Sequence, residues 1–292
     1  MTRLFTRSAV GVHVAQSRIE WVYTRDGRVV NGGSAPIEGR STKNVLGHVF
    51  CEIKRATANK YAPVGVALAD PYFGFHVLDV EGWPRRREEQ ERFARFVLRK
   101  EVGSDCSDHR IGFMLESAKG RDKPALVIQS LQEVWVHSLK QKAAKTGIIL
   151  AGLDSVHNIR LKRFRRSTNW GSTALLAVDN DYWSLSLHGT DGLPRYLASH
   201  WHISNGSDGD TGYPILSEVR RLLLAATLDL AWEPKQITLI SQSPTVDERE
   251  WEESLRGGLG AAVESLNDHA TRGDGVADNA RAAMWAAQHR WQ

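Results

Sequence analysis

Cysteine is nearly absent. Only Cys51 and Cys106 occur in 292 residues, too few for a disulfide framework and without the company of other metal ligands. A reducing cytoplasm fits that usage. Long apolar runs are missing too: nothing approaches the roughly 18–20 residues a membrane span needs. The opening MTRLFTRSAVGVHVA has two arginines but no extended apolar core and no clean cleavage site, so it does not read as a signal peptide. There is no Walker A motif, no G-x-S-x-G and no dinucleotide fingerprint. An aromatic RNA-binding motif, a zinc finger and a helix-turn-helix pattern are also lacking.

What is present is the composition of a soluble globular protein, 41% hydrophobic and 25% charged. The net charge is +4 and the pI about 9.1. Basic residues gather at 83–102, where glutamates interleave at helical spacing, and more densely in RLKRFRR at 160–166. The first reads as a solvated helix face. The second reads as a helix end leading into a linker, and its charge also suits anionic lipid or an acidic partner.

The pattern divides into two halves. In the first, a strand at 9–15 leads into a hairpin turning at Asp26-Gly27, then a strand near Ala35-Ile37, a helix at 44–58 and a buried strand at 63–69. An α+β insert at about 73–154 follows: strand, helix with Phe93, Phe96 and Val97 inward, two strands, helix, strand. Ser130 to Glu133 reads as a capping box opening its second helix. STNWGST at 167–173 is the linker. The second half repeats the theme with a meander at 174–203, a helix at 213–230 and a buried strand at 236–243. A second capping box, Thr245 to Glu248, opens a helix ending at Gly257-Gly258, and a terminal helix spans 276–291. The expected domains are 1–166, carrying the insert, and 167–292, with the terminal helix packing back on the first.

Three stretches carry a resemblance: VALADPYFGFHVLDVEGWP with the helix after it, ALVIQSLQEVWVHSLKQKAAKTGIILAGLDSVHNIRLKRF, and SEVRRLLLAA followed by ITLIS. In their order the chain resembles the PilM group of actin-like ATPases, which includes PilM and MshI of pilus biogenesis and the cytoplasmic part of the secretion protein GspL. The resemblance implies an α/β, actin-like, duplicated ribonuclease H-like fold in two lobes.

It also implies a place for ATP with Mg2+. Actin-like enzymes wrap phosphates in two hairpin turns, each with an acid and with glycine where a Cβ would collide. In the first turn the family's Asp position holds His13 and its Gly position Ala15, leaving Gln16 and Ser17 as donors. In the second, Asp179 matches the acid but Asp181 stands where glycine belongs. A carboxylate aimed at a phosphate from about 4 Å costs roughly 4 kcal/mol at an effective dielectric of 20. At the adenosine-side turn, Ser241 and Gln242 replace two glycines. Asp179 and Asp181 therefore read as a solvent-facing hairpin in a vestigial nucleotide cleft. His200 and His202 have the spacing of a metal pair but no third ligand, so they read as surface histidines satisfied by local partners. NGSDGDTG at 205–212 looks like a calcium loop, but its acid spacing is wrong.

The resulting expectation is a non-catalytic cytoplasmic adaptor of a type IV pilus or type II secretion-like platform, with no catalytic residue, no metal and no cofactor beyond weak ATP/Mg2+. Its implied partners are the cytoplasmic tail of an inner-membrane protein, an assembly ATPase and a second copy of itself. Nucleic acid is not expected. GspL-like proteins continue into a membrane span and this chain does not, so it is expected to reach the inner membrane through a partner. The alternative is an active actin-like ATPase or sugar-kinase-like enzyme.

Overall fold

The computed structural model describes residues 8–57, 62–103, 106–116, 123–164, 171–202, 212–230, 232–241 and 247–265. The turn at 118–122, residues 167–170 of the linker, the loop at 205–211, Gln242, Thr245 and the helix expected at 276–291 lie outside them. The chain opens with β1 (Ser8–Val14), β2 (Arg18–Arg25), β3 (Arg28–Pro36), α1 (Thr42–Ala56) and β4 (Val64–Leu68). A 3-10 turn, Asp70–Tyr72, leads into β5 (Phe73–Asp79), α2 (Arg87–Val102), β6 (His109–Glu116), β7 (Ala125–Gln132) and α3 (Glu133–Thr146). Then come β8 (Leu150–Ser155), α4 (Val156–Phe164), β9 (Thr173–Val178), β10 (Tyr182–His188) and β11 (Pro194–Trp201). The last are α5 (Gly212–Asp229), β12 (Gln236–Ser241), α6 (Glu248–Leu259) and β13 (Ala262–Ser265).

The internal duplication is plain in the sheets. One has the order β3-β2-β1-β4-β8 and the other β11-β10-β9-β12-β13. In each, a three-strand antiparallel meander is extended by two strands parallel to its first. The Asp26-Gly27 hairpin forms as expected, both residues having positive φ (52° and 78°), which matches the twist of the strands it joins.

By contacts the chain divides into two compact units. The first contains Met1–Tyr72 and Glu133–Arg166, the second Phe73–Gln132 and Ser167–Asp268. The insert is therefore shorter than 73–154. Only β5, β6 and β7 form its sheet, in the order β5-β7-β6, with α2 on one face. Helix α3 packs on α1, and β8 pairs with β4 in the first sheet. Apolar runs alone could not separate these, because β8 is as short and apolar as an insert strand.

In the first unit, α1 is capped by Ser41, whose hydroxyl accepts from the Asn44 N–H at 3.3 Å. It buries Val45, Leu46, Val49, Phe50 and Ile53. In the second unit, α5 and α6 share a core with β9, β10 and β12, into which Trp183, Val219, Leu223 and Trp251 are buried. Three local expectations change. Ser130 is not a cap, because β7 runs on to Gln132 and Ser130 pairs with Gly74 across the ladder. Asp247, accepting from the N–H groups of Arg249 and Glu250, caps α6, which runs through Gly257 and Gly258 to stop at left-handed Gly260. On α2 the buried residues are Ala94 and Leu98, and Phe96 is 65% exposed. Among the described residues no helix is long and apolar enough to cross a membrane.

His76 lies on β5 within the insert. Burial pushes its pKa down, and Glu101 opposes this in part. The unfolded chain then takes up the proton first as pH falls, so this group subtracts stability once pH drops below the ordinary histidine value of about 6.5. His76→Gln should flatten the loss of urea midpoint between pH 7 and pH 5 relative to the parent. Parallel pH profiles would count against it.

Candidate functional site

The first turn is tightly tied. The Ala15 N–H donates to the Arg18 carbonyl at 3.0 Å, and the Ala15 carbonyl accepts from the Tyr72 hydroxyl at 3.3 Å. The Ser17 carbonyl accepts from the Ile37 N–H at 2.7 Å. Gln16 and Ser17 are exposed at its tip. His13 is not. It is 3% exposed, and the strand register sets it in a row with partners the sequence does not reveal. Glu20 of β2 faces His13, His13 faces Ala67 of β4, and Ala67 faces Asp154 of β8. Residues paired across strands share a face, so the row Glu20–His13–Ala67–Asp154 lies along one side of the sheet.

Its charges are compensated from within the unit. His13 Nδ1 lies 3.4 Å from Glu20 Oε2, and Arg18 Nε lies 3.3 Å from Glu20 Oε1. The other ring nitrogen, His13 Nε2, is buried with no hydrogen-bond partner among the described residues. Asp154 is 2% exposed. Its Oδ1 accepts from the Ser155 N–H at 2.9 Å and from Asn158 Nδ2 at 3.0 Å, and its Oδ2 from Lys162 Nζ at 2.8 Å. Lys162 thus leaves the basic stretch read from the sequence, and so does Arg160, which is buried. Over Arg160 to Lys162 this stretch is therefore not a uniform surface patch, because Arg160 and Leu161 are buried.

The second turn departs from the solvent-facing hairpin expected. Asp179 and Asp181 are 3% and 9% exposed. The Asp179 N–H donates to the Tyr182 carbonyl at 2.8 Å. His202 clips the turn from beyond β11: its N–H donates to the Asp181 carbonyl at 2.8 Å, and its Nε2 donates to the Asp179 carbonyl at 2.9 Å. His200 instead stacks on Trp183, with centroids 4.9 Å apart. The two histidines therefore have separate structural tasks: His200 is exposed but stacked, and His202 is half-buried and hydrogen-bonded. Sequence spacing could not show this, since the clip depends on where β11 ends. Ser241 closes β12 opposite Val178, one residue before Asp179. Among the described residues no group of three His, Cys, Asp or Glu could hold a metal ion.

Taken chemically, these residues do not fit Mg2+-ATP as the resemblance would place it. An imidazole stands where a carboxylate would support the metal. The acids beside it, Glu20 and Asp154, already hold Arg18 and Lys162. At the second turn two carboxylates remain and no glycine does, and the Asp179 N–H is committed to the hairpin.

No family model matches the sequence, and no curated protein is similar to it. Solved structures are. A PilM–PilN type IV pilus biogenesis complex matches with a TM-score of 0.69 at 14% identity, over 96% of both chains. A Bacteroides thetaiotaomicron protein of actin-like ATPase fold and unknown function matches at 0.60 and 12%, again over 96% of both. The cytoplasmic domain of EpsL, an inner-membrane component of the Vibrio cholerae type II secretion system, matches at 0.55 and 12%, over 96% of this chain and 94% of that one. The resemblance read from the sequence is borne out in the fold: this chain has the duplicated, two-lobed actin-like architecture shared by PilM and the EpsL cytoplasmic domain.

Proposed function

We propose that this protein is a non-catalytic adaptor on the cytoplasmic side of a type IV pilus or type II secretion-like assembly platform, holding the cytoplasmic tail of an inner-membrane partner. The observation that carries the reading is the end-to-end likeness to a PilM structure determined with PilN. The polar row supports the non-catalytic part, since its acids are neutralised by the chain's own cations. No cofactor is required in this reading, and the protein sits peripheral to the membrane through its partner.

The test has two arms on the full chain. In calorimetry, a synthetic peptide of the cytoplasmic tail of a PilN-like membrane protein from the same organism should bind, and its scrambled version should not. In thermal shift, millimolar Mg2+-ATP should leave the melting temperature unchanged. A ligand at 100 times its Kd adds about 2.7 kcal/mol, so genuine affinity would be obvious. A clear ATP shift with phosphate release favours the alternative, an active actin-like ATPase or sugar-kinase-like enzyme. Failure of the tail to bind removes the adaptor reading.

A further inference from the structure

Asp154 presents a problem that the chain solves by itself. A carboxylate this buried needs a compensating charge. In metal-dependent sites a divalent cation supplies it. Here Asp154, Asn158 and Lys162 follow one another at intervals of four. Helical geometry puts Asn158 and Lys162 on one face of α4, one turn apart. The strand end supplies the acid, and the helix that follows returns an amide to one oxygen and an ammonium to the other. At the far end of the row Arg18 does the same for Glu20. A metal at Asp154 would have to displace Lys162 from 2.8 Å or sit beside its positive charge.

We infer that Lys162 is the resident cation of this row, so that the carboxylates of the row are paired within the chain with no divalent metal. The inference deepens the non-catalytic reading and rests on it, but it concerns the metal alone. It gives Lys162 a positioning role: its ammonium holds Asp154 Oδ2 while Asn158 and the Ser155 N–H hold Oδ1. The Lys162 side chain is still 48% exposed, so solvent ions can reach the pair.

The experiment is differential scanning fluorimetry of the full chain with MgCl2 or MnCl2 and no nucleotide. The parent should show no metal-dependent shift. Lys162→Met should melt several degrees lower, and millimolar Mg2+ or Mn2+ should recover part of that loss, because Asp154 is left without a counter-charge. Asp154→Asn with Lys162→Met should melt higher than Lys162→Met alone and ignore the metal. If Lys162→Met does not fold, Lys162→Gln keeps the helix, replaces the ammonium with a neutral donor and is read in the same way. A metal shift in the parent overturns the inference. So does a double variant no more stable than Lys162→Met, or a single variant that metal leaves unmoved. If Mg2+-ATP shifts the parent and releases phosphate while Mg2+ alone does not shift it, the non-catalytic reading fails and the assignment of Lys162 stands.

Discussion

Trp183→Ala should remove about 3–5 kcal/mol of stability, the range for truncating a large buried aromatic, read as a lower urea midpoint at unchanged m-value. Trp183 is 1% exposed at the start of β10, in the core that α5 and α6 close over. It faces Val178 on one neighbouring strand and His200 on the other. The indole fills the space under the helices, and the stacked imidazole of His200 covers its outer side. Alanine leaves a void with rigid strands on both flanks, so collapse is limited and the cost falls toward the upper end. Trp183→Phe keeps most of the volume and should cost about 1–2 kcal/mol, in the range of moderate core repacking. A loss below about 1 kcal/mol for the alanine variant would mean that this core does not carry the unit. Circular dichroism is the suitable probe, because the sequence has 10 tryptophans.

How the sequence reported this structure depends on distance along the chain. Hydrophobic periodicity is local, and it located the paired meanders, the helix stripe at Val45, Val49 and Ile53, and the duplication. Turn chemistry is local as well, and Asp26-Gly27 was readable. The polar row was not. His13 meets Glu20, and shares a face with Asp154 across Ala67, only through strand register, and Asp154 lies 141 positions away by residue number (154 − 13). The one available signal is the four-residue spacing Asp154, Asn158, Lys162, of which the sequence reading takes only Lys162, as one member of the basic stretch 160–166. Asp179 and Asp181 were misjudged for the same reason. A polar turn looks exposed until the element that covers it is known, and the cover includes His202, 23 residues after Asp179. Ser130 failed as a cap because a capping box does not say whether the strand before it has ended.

The second large effect is expected at Asp70. This residue follows β4, is fully buried, and accepts the His157 N–H at Oδ1 from 2.7 Å. His157 is the second residue of α4, so a side chain 87 positions upstream satisfies one of the free N–H groups that open the helix. The contact also places a carboxylate at the positive end of the helix. Asp70→Ala leaves that N–H buried and unmet, at about 1–3 kcal/mol, and forfeits up to about 2 kcal/mol of anion–helix attraction. A total of about 2–4 kcal/mol is expected in urea unfolding. Asp70→Asn keeps an acceptor oxygen without the charge and should recover roughly half. Hydrogen exchange should show the loss beginning in α4, since its first turn loses its anchor while the sheet keeps its ladder. Because α4 also carries Asn158 and Lys162 to Asp154, loosening its start should weaken that pair. The combined Asp70→Ala, Lys162→Met variant should then cost less than the sum of its parts. Strict additivity would uncouple Asp70 from the Asp154–Lys162 pair and leave it an isolated cap, and equal effects from Asn and Ala at position 70 would mean that the acceptor oxygen contributes nothing.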